Sequence, residues 1–245
     1  MTTTPIINFA HRGASGTCPE NTMIAFRQAI ELGATGIETD VQRTKDGKLV
    51  LIHDESLERT TGLPRLVKDV TGAELESLDA GSWFDPSFQG ERVPELHELL
   101  ELGREHGIVL NLELKNGIVP YEGLEEEVIA AVRSFGLEEQ VIISSFNHYS
   151  LVECHRLAPD IRTGVLYMEG LYRPWEYAQS LGATALHAYK EAITPEWVKS
   201  AAEAGVAYRP FTVNDEEEMR VFLGYGVRGI ITDYPERLHS LLTLS

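Results

Sequence analysis

A chain of 245 residues with 43% hydrophobic and 24% charged residues is long enough to bury a full core without disulfides, which excludes a disordered chain and a stapled mini-domain. Thirty-eight acidic residues against 21 basic ones leave a formal net charge of −17. That balance excludes a nucleic-acid surface and docking on an anionic membrane, both of which need a basic face.

An anionic ligand of such a chain has to meet a local cluster of cations or a bound metal. Cys18 and Cys154 form neither a CxxC pair nor a disulfide framework. The opening Met-Thr-Thr-Thr-Pro has no basic segment followed by an apolar run, so no secretory leader is expected. No apolar run approaches the roughly 20 residues of a bilayer span. A cytoplasmic address follows.

Short apolar runs alternate with helical patterns along the chain, the mark of repeated βα units. Residues 6–10 predict a first strand. Pro19 predicts the opening of a helix through Ile24, Phe26 and Ile30 that stops at Gly33. Residues 36–41 predict the second strand. Asp46-Gly47 marks a hairpin turn, with a returning strand at 49–53. Some 40 residues rich in Gly, Asp and aromatics follow, so 44–94 reads as an insertion over the barrel mouth.

The alternation then resumes. Helix 94–105 leads to strand 108–114, a helix from about Tyr121 ends at Gly136, and strand 141–145 precedes helix 147–158. Strand 163–167, helix 173–180 and strand 183–187 come next. A helix capped by Thr194-Pro195 then leads to strand 206–211. Helix 214–223, strand 229–232 and helix 234–243 complete the chain. Without the hairpin strand this makes eight strands, each followed by a helix. The pattern predicts one domain over 1–245, an α/β (β/α)8 TIM-type barrel with an insertion after strand 2. An open doubly wound sheet is the alternative, weakened by the lack of a GxGxxG or P-loop pattern.

Catalytic groups of such barrels sit at the C-terminal ends of strands. Here those ends carry His11-Arg12-Gly13, Glu38 and Asp40, His53-Asp54, and Glu113 with Lys115. Residues two apart on a strand face the same side, so Glu38 pairs with Asp40 and Glu113 with Lys115, inside runs that are otherwise apolar. Three carboxylates facing one cavity call for a hard divalent cation. With that ion the cluster carries about −1, and Arg12 and Lys115 bring it to about +1, suited to a singly charged diester. His11 and His53 titrate near neutrality and can take and give the protons that P–O cleavage requires.

His11-Arg12-Gly13, Pro19-Glu20-Asn21-Thr22, Glu38-x-Asp40, His53-Asp54, Glu113-x-Lys115 and Thr212-Val213-Asn214 occur in one order. In that order the chain resembles the glycerophosphodiester phosphodiesterases, in particular their compact bacterial cytoplasmic members. Leu78-Asp-Ala-Gly-Ser-Trp-Phe84 is also similar to that family's insertion. The resemblance runs from about residue 8 to 235. It implies Glu38, Asp40 and Glu113 as ligands of one Mg2+ or Ca2+, His11 and His53 as the acid/base pair, and Arg12 and Lys115 on the phosphate. It also implies glycerophosphocholine- and glycerophosphoethanolamine-like substrates, giving sn-glycerol 3-phosphate and an alcohol. Members often carry Trp where this chain has Phe211, which keeps a substrate-facing ring but loses the indole N–H.

Several residues have plainer expectations. Glu20 and Asn21 suit a helix N-terminus. Asn214 reads as an N-cap with Glu217 completing a capping box, Asp233 as a cap before Pro235, and Asp54 as a turn residue. Trp83, Phe84 and Phe88 read as the insertion's own small core. Of the remaining histidines only His187, at a strand end, is placed to line the pocket. Two other functions stay open: a related phospholipase-type phosphodiesterase, disfavoured by the lack of a membrane-docking segment, and a non-catalytic phosphodiester-binding barrel. No nucleic-acid partner and no membrane insertion are expected, and a homo-oligomer stays open.

Overall fold

In the computed structural model, which describes residues 5–243, the chain begins with strand β1 (Ile7–His11), helix α1 (Met23–Glu31) and strand β2 (Gly36–Arg43). β3 (Leu49–Leu51), α2 (Glu58–Thr61), α3 (Gly72–Glu76) and α4 (Leu96–His106) follow. Then come β4 (Val109–Leu114), α5 (Leu124–Phe135), β5 (Val141–Ser145), α6 (His148–Leu157), β6 (Arg162–Tyr167) and α7 (Pro174–Ser180). The last part is β7 (Ala185–Ala188), α8 (Pro195–Glu203), β8 (Ala207–Tyr208), α9 (Glu216–Tyr225), β9 (Gly229–Thr232) and α10 (Pro235–Thr243). Most of the opening stretch read for a leader, residues 1–4, lies outside the described residues.

Eight strands pair in parallel in the order β8-β7-β6-β5-β4-β2-β1-β9, and β3 lies antiparallel on β2. The two ends of this order meet. Arg228 N donates to Tyr208 O (2.9 Å), Ile231 N to Pro210 O (3.0 Å) and Val213 N to Ile231 O (3.0 Å). The sheet is a nearly closed barrel, with α-helices between consecutive parallel strands. The expected strand at 206–211 is regular only over Ala207–Tyr208, although Arg209 N still donates to Leu186 O (2.9 Å) and Phe211 N to Ala188 O (3.1 Å); Pro210 has no N–H to offer.

Two helix starts differ most from expectation. α1 begins at Met23, where Thr22 Oγ1 accepts from Ala25 N at 3.3 Å. Residues 19–21 instead turn back on β1, with Asn21 N donating to Arg12 O at 2.9 Å. α5 begins at Leu124 rather than near 121, because Gly123 sits in the left-handed region at φ 80°.

The main core lies between strands and helices, with Phe26, Leu99, Leu100, Leu110 and Val128 buried in one cluster. A second cluster, within the barrel, packs Phe9, Ile142 and Ile231 with Ile7, Val109 and Phe211. Residues within 44–94 bury their own aliphatic cluster of Val50, Ile52, Leu57, Val67, Val70, Leu75, Ala80 and Val93. The insertion aromatics are not that core: Trp83 and Phe84 are 39% and 36% exposed. Aliphatic side chains already fill the small interior, and Trp83, Phe84 and Phe88 stack edge to face in sequence outside it. Among the described residues no helix is long and apolar enough to cross a membrane.

Gly36 shows how tightly the barrel is filled. A Cβ there would fall 2.6 Å from the Phe9 ring. Gly36→Ala is expected to lower unfolding free energy by about 1–3 kcal/mol, measured by urea denaturation. An unchanged midpoint would contradict this packing.

Candidate active site

Strand register gathers the acids. His11 lies opposite Glu38 across β1 and β2, and Asp40 lies opposite Glu113 across β2 and β4. Glu38, Asp40 and Glu113 are all buried, with oxygens within 4.8 Å of one another. Lys115 Nζ stands 3.1 Å from Glu113 and 3.8 Å from Asp40. Arg12 Nε lies 3.4 Å from Asp40, and Arg12 N donates to Glu38 O at 2.9 Å. Arg12 reaches this place through a left-handed backbone (φ 54°), a conformation that costs free energy for a residue with a Cβ and that the surrounding bonds have to hold. At Gly13 (φ 83°) a Cβ would fall 2.7 Å from the Ala25 backbone, so the turn leaves room only for glycine.

Burial and the charges of Asp40 and Glu113 push Glu38 well above the usual carboxyl range, against the pull of Arg12. Burial and Asp40 raise Glu113 to about 7, with Lys115 opposing. Burial would raise Asp40 too, but Arg12, His53 and Lys115 outweigh it and hold it low. Without a cation, the cluster therefore keeps protons near neutrality. An all-oxygen donor set this close fits a hard divalent ion, whose charge would replace those protons.

Each imidazole has a carboxylate behind it. His11 Nδ1 is 2.6 Å from Asp233 Oδ1, and His53 Nδ1 is 2.7 Å from Asp54 Oδ1. Such a contact fixes which ring nitrogen faces the cavity, here Nε2 of both rings. Burial lowers the His53 pKa, with Arg12 and Lys115 adding to it against Asp40 and Asp54. The two rings share a cavity of about 210 Å3 lined also by Arg12, Glu38, Asn111, Glu113, Phe146, Leu166 and Phe211. A roomier groove of about 380 Å3 lies beside Leu75, Glu76 and Glu98, but it brings no comparable pair of imidazoles and cations together.

The predicted residues thus converge: His11, His53, Arg12, Lys115, Phe211, Glu38, Asp40 and Glu113 meet at one end of the barrel. Phe211 packs edge to face on Phe146, ring centroids 6.1 Å apart. Other expectations are corrected. Asn214 is not the α9 cap. Asp215 takes that place, accepting from Glu217 N and Glu218 N, and Asn214 Nδ2 donates to Asp233 Oδ2 at 2.6 Å. Asp233 and Asp54 hold the histidines, and Asn21 Nδ2 donates to Asp40 at 2.9 Å. Glu20 pairs with Arg12 at 3.0 Å. His187 does not line the cavity: it is fully buried, with Nε2 3.1 Å from Arg209 Nη1. The signal for Asp233 was available in the topology, since a closed barrel sets β9 beside β1, with Thr232 opposite Ala10.

The family model described as the glycerophosphoryl diester phosphodiesterase family matches residues 11–237. A glycerophosphodiester phosphodiesterase of Caldanaerobacter subterraneus subsp. tengcongensis is 49% identical over 95% of this chain and 96% of its own length. One of Bacillus altitudinis is 44% identical, covering 94% of this chain and 95% of its own. The structure of an Oleispira antarctica phosphodiesterase in complex with its product sn-glycerol-3-phosphate superposes with a TM-score of 0.86, at 35% identity over 97% of this chain and 96% of that one. The chain belongs to the glycerophosphoryl diester phosphodiesterase family.

Proposed function

We propose that this protein hydrolyses glycerophosphodiesters to sn-glycerol 3-phosphate and an alcohol, with one Mg2+ or Ca2+ held by Glu38, Asp40 and Glu113. The observation that carries the reading is the meeting of two carboxylate-backed imidazoles, two cations and three buried acids around one cavity. A bound divalent ion would supply Lewis-acid stabilisation of the charge that builds on phosphoryl oxygens.

The chain's own groups do the rest. Arg12 presents a guanidinium able to bind two phosphoryl oxygens at once, and Lys115 adds charge on the opposite flank. His53 is held neutral by burial, so its Nε2 accepts the proton of the attacking hydroxyl. His11, oriented by the Asp233 carboxylate on Nδ1, presents Nε2 to deliver a proton to the leaving alkoxide. Phe211 and Phe146 wall the cavity and orient the organic part of the substrate. We read 1–245 as one catalytic domain, with 44–94 as an insertion at its mouth, working on small water-soluble diesters in the cytoplasm.

The direct test is a coupled sn-glycerol 3-phosphate assay over a panel of glycerophosphodiesters with Mg2+, Ca2+ or EDTA. Product formation with metal and its loss in EDTA are expected. Full turnover in chelator would contradict the metal assignment. His11→Ala is expected to lower kcat by about 10²–10⁴-fold, and retention of a tenth or more of the activity would remove His11 from the proton transfer. Stability should track the trapped protons. Glu113 rises from an ordinary 4.5 to about 7, and Glu38 moves the same way. The Glu113 contribution is fully present below about pH 4.5 and is lost as pH rises through about 7, and the Glu38 contribution is lost in the same direction. In EDTA, the melting temperature should therefore fall between these values, and excess divalent ion should flatten the fall. A melting temperature in EDTA that rises steadily over that range would refute it.

A further inference from the structure

Arg59, carried on the insertion helix α2, is absent from the residues lining the catalytic cavity, yet it stands at the centre of the network behind it. Its Nε lies 2.6 Å from Asp54 Oδ2 and its Nη2 lies 3.1 Å from Asp54 Oδ1. The same guanidinium contacts Glu20 through Nη1 (2.9 Å) and Nη2 (2.8 Å). Asp54 in turn holds His53 Nδ1 at 2.7 Å, and Glu20 holds Arg12 Nη1 at 3.0 Å. One planar fork thus fixes two carboxylates, each of which fixes a different residue facing the cavity. The indole of Trp83 stacks on the guanidinium, with Arg59 Cζ 5.5 Å from the ring centroid, and Trp83 Nε1 is tied to Ala80 O at 2.9 Å.

We propose that Arg59 is a positioning residue for the reaction: by bridging Asp54 and Glu20 it orients both His53 and Arg12, so that correct seating of the insertion is a condition for catalysis. The inference rests on the reading of His53 and Arg12 given above. Stability alone does not account for such a residue. The Arg59 side chain is 41% exposed, and ion pairs at such exposed positions add little to stability. What the double fork supplies is geometry, and a misplacement near 1 Å can cost about 100-fold in rate. Lysine cannot reproduce it, because a point charge on a flexible stem does not hold two carboxylates in one plane. Asp54 accepts from both Arg59 and His53, and its carboxyl is lowered to about 2, chiefly by the Arg59 hydrogen bond, with burial opposing and His53 adding to the fall. It is thus ionised wherever the enzyme is assayed.

The test compares Arg59→Gln, Arg59→Lys, Asp54→Asn, the double variant Arg59→Gln/Asp54→Asn and His53→Gln, all as full chains loaded with Mg2+ or Ca2+. Expected is a fall in kcat of about 10–100-fold for both Arg59 variants, with the double variant no worse than the poorer single one, because the two residues act in series. The low-field Nδ1–H proton signal of His53, identified by its loss in His53→Gln, should weaken or shift in Arg59→Gln. Added guanidinium should restore part of the Arg59→Gln rate. An Arg59→Gln enzyme with a lower melting temperature, unchanged kcat and an unmoved imidazole signal would make the residue merely structural and overturn the inference. Effects of Arg59→Gln and Asp54→Asn that multiply in the double variant would also overturn it. If His53→Gln itself keeps full activity, the reading of the active site fails. If His53→Gln is inactive while both Arg59 variants are normal, only the role of Arg59 fails.

Discussion

Three carboxylates buried within 4.8 Å of one another are the constraint around which the rest of this active site is arranged. Removing a charge from water is expensive, and placing like charges together in a low dielectric adds to the cost. The barrel meets that cost from several directions. Arg12 is bent into a left-handed conformation to reach Asp40. Lys115 is drawn onto Glu113 and Asp40. Asn21 donates to Asp40 while its own carbonyl accepts from Thr39 Oγ1 at 2.7 Å. Even so, burial and mutual repulsion hold the pKa values of Glu38 and Glu113 above the ordinary carboxyl range. The cluster is balanced for a divalent charge that the side chains alone do not supply.

The fold explains why these groups can coexist. Side chains alternate across each strand, so one face of β1, β2 and β4 carries His11, Glu38, Asp40 and Glu113 while the other packs on the helices. Below them Phe9, Ile142 and Ile231 fill the barrel, so the polar groups stand on a rigid apolar floor. Barrel closure then brings Asp233 beside His11. The insertion brings His53 and Asp54 from the other side, closing a ring of groups from both termini and from the middle of the chain.

Much of this was legible in the sequence, because the signal lay in what each strand should not contain. Charged residues at Glu38, Asp40 and Glu113 break apolar runs, and their two-residue spacing fixes their common face. The strands and helices were legible for the same reason, as periodicity in apolar residues. What the sequence left hidden depends on contacts between distant segments. Asp233 and Asn214 read locally as caps, and only the β1–β9 pairing turns them toward His11. Glu20 and Asn21 read as helix-start residues, but the backbone turns back at Asn21 and aims both side chains at the site. Trp83 and Phe84 read as core by hydrophobicity alone, whereas the insertion is too small to enclose them.

The most direct measurement of the central claim is isothermal titration of Mn2+ into chelator-stripped protein, repeated in buffers of different ionisation enthalpy near pH 7. One site per chain is predicted, with proton release on binding as the ion displaces protons from Glu38 and Glu113, and with binding strongly weakened in Glu38→Gln. Binding of equal strength in that variant, or association with no proton release, would contradict the account.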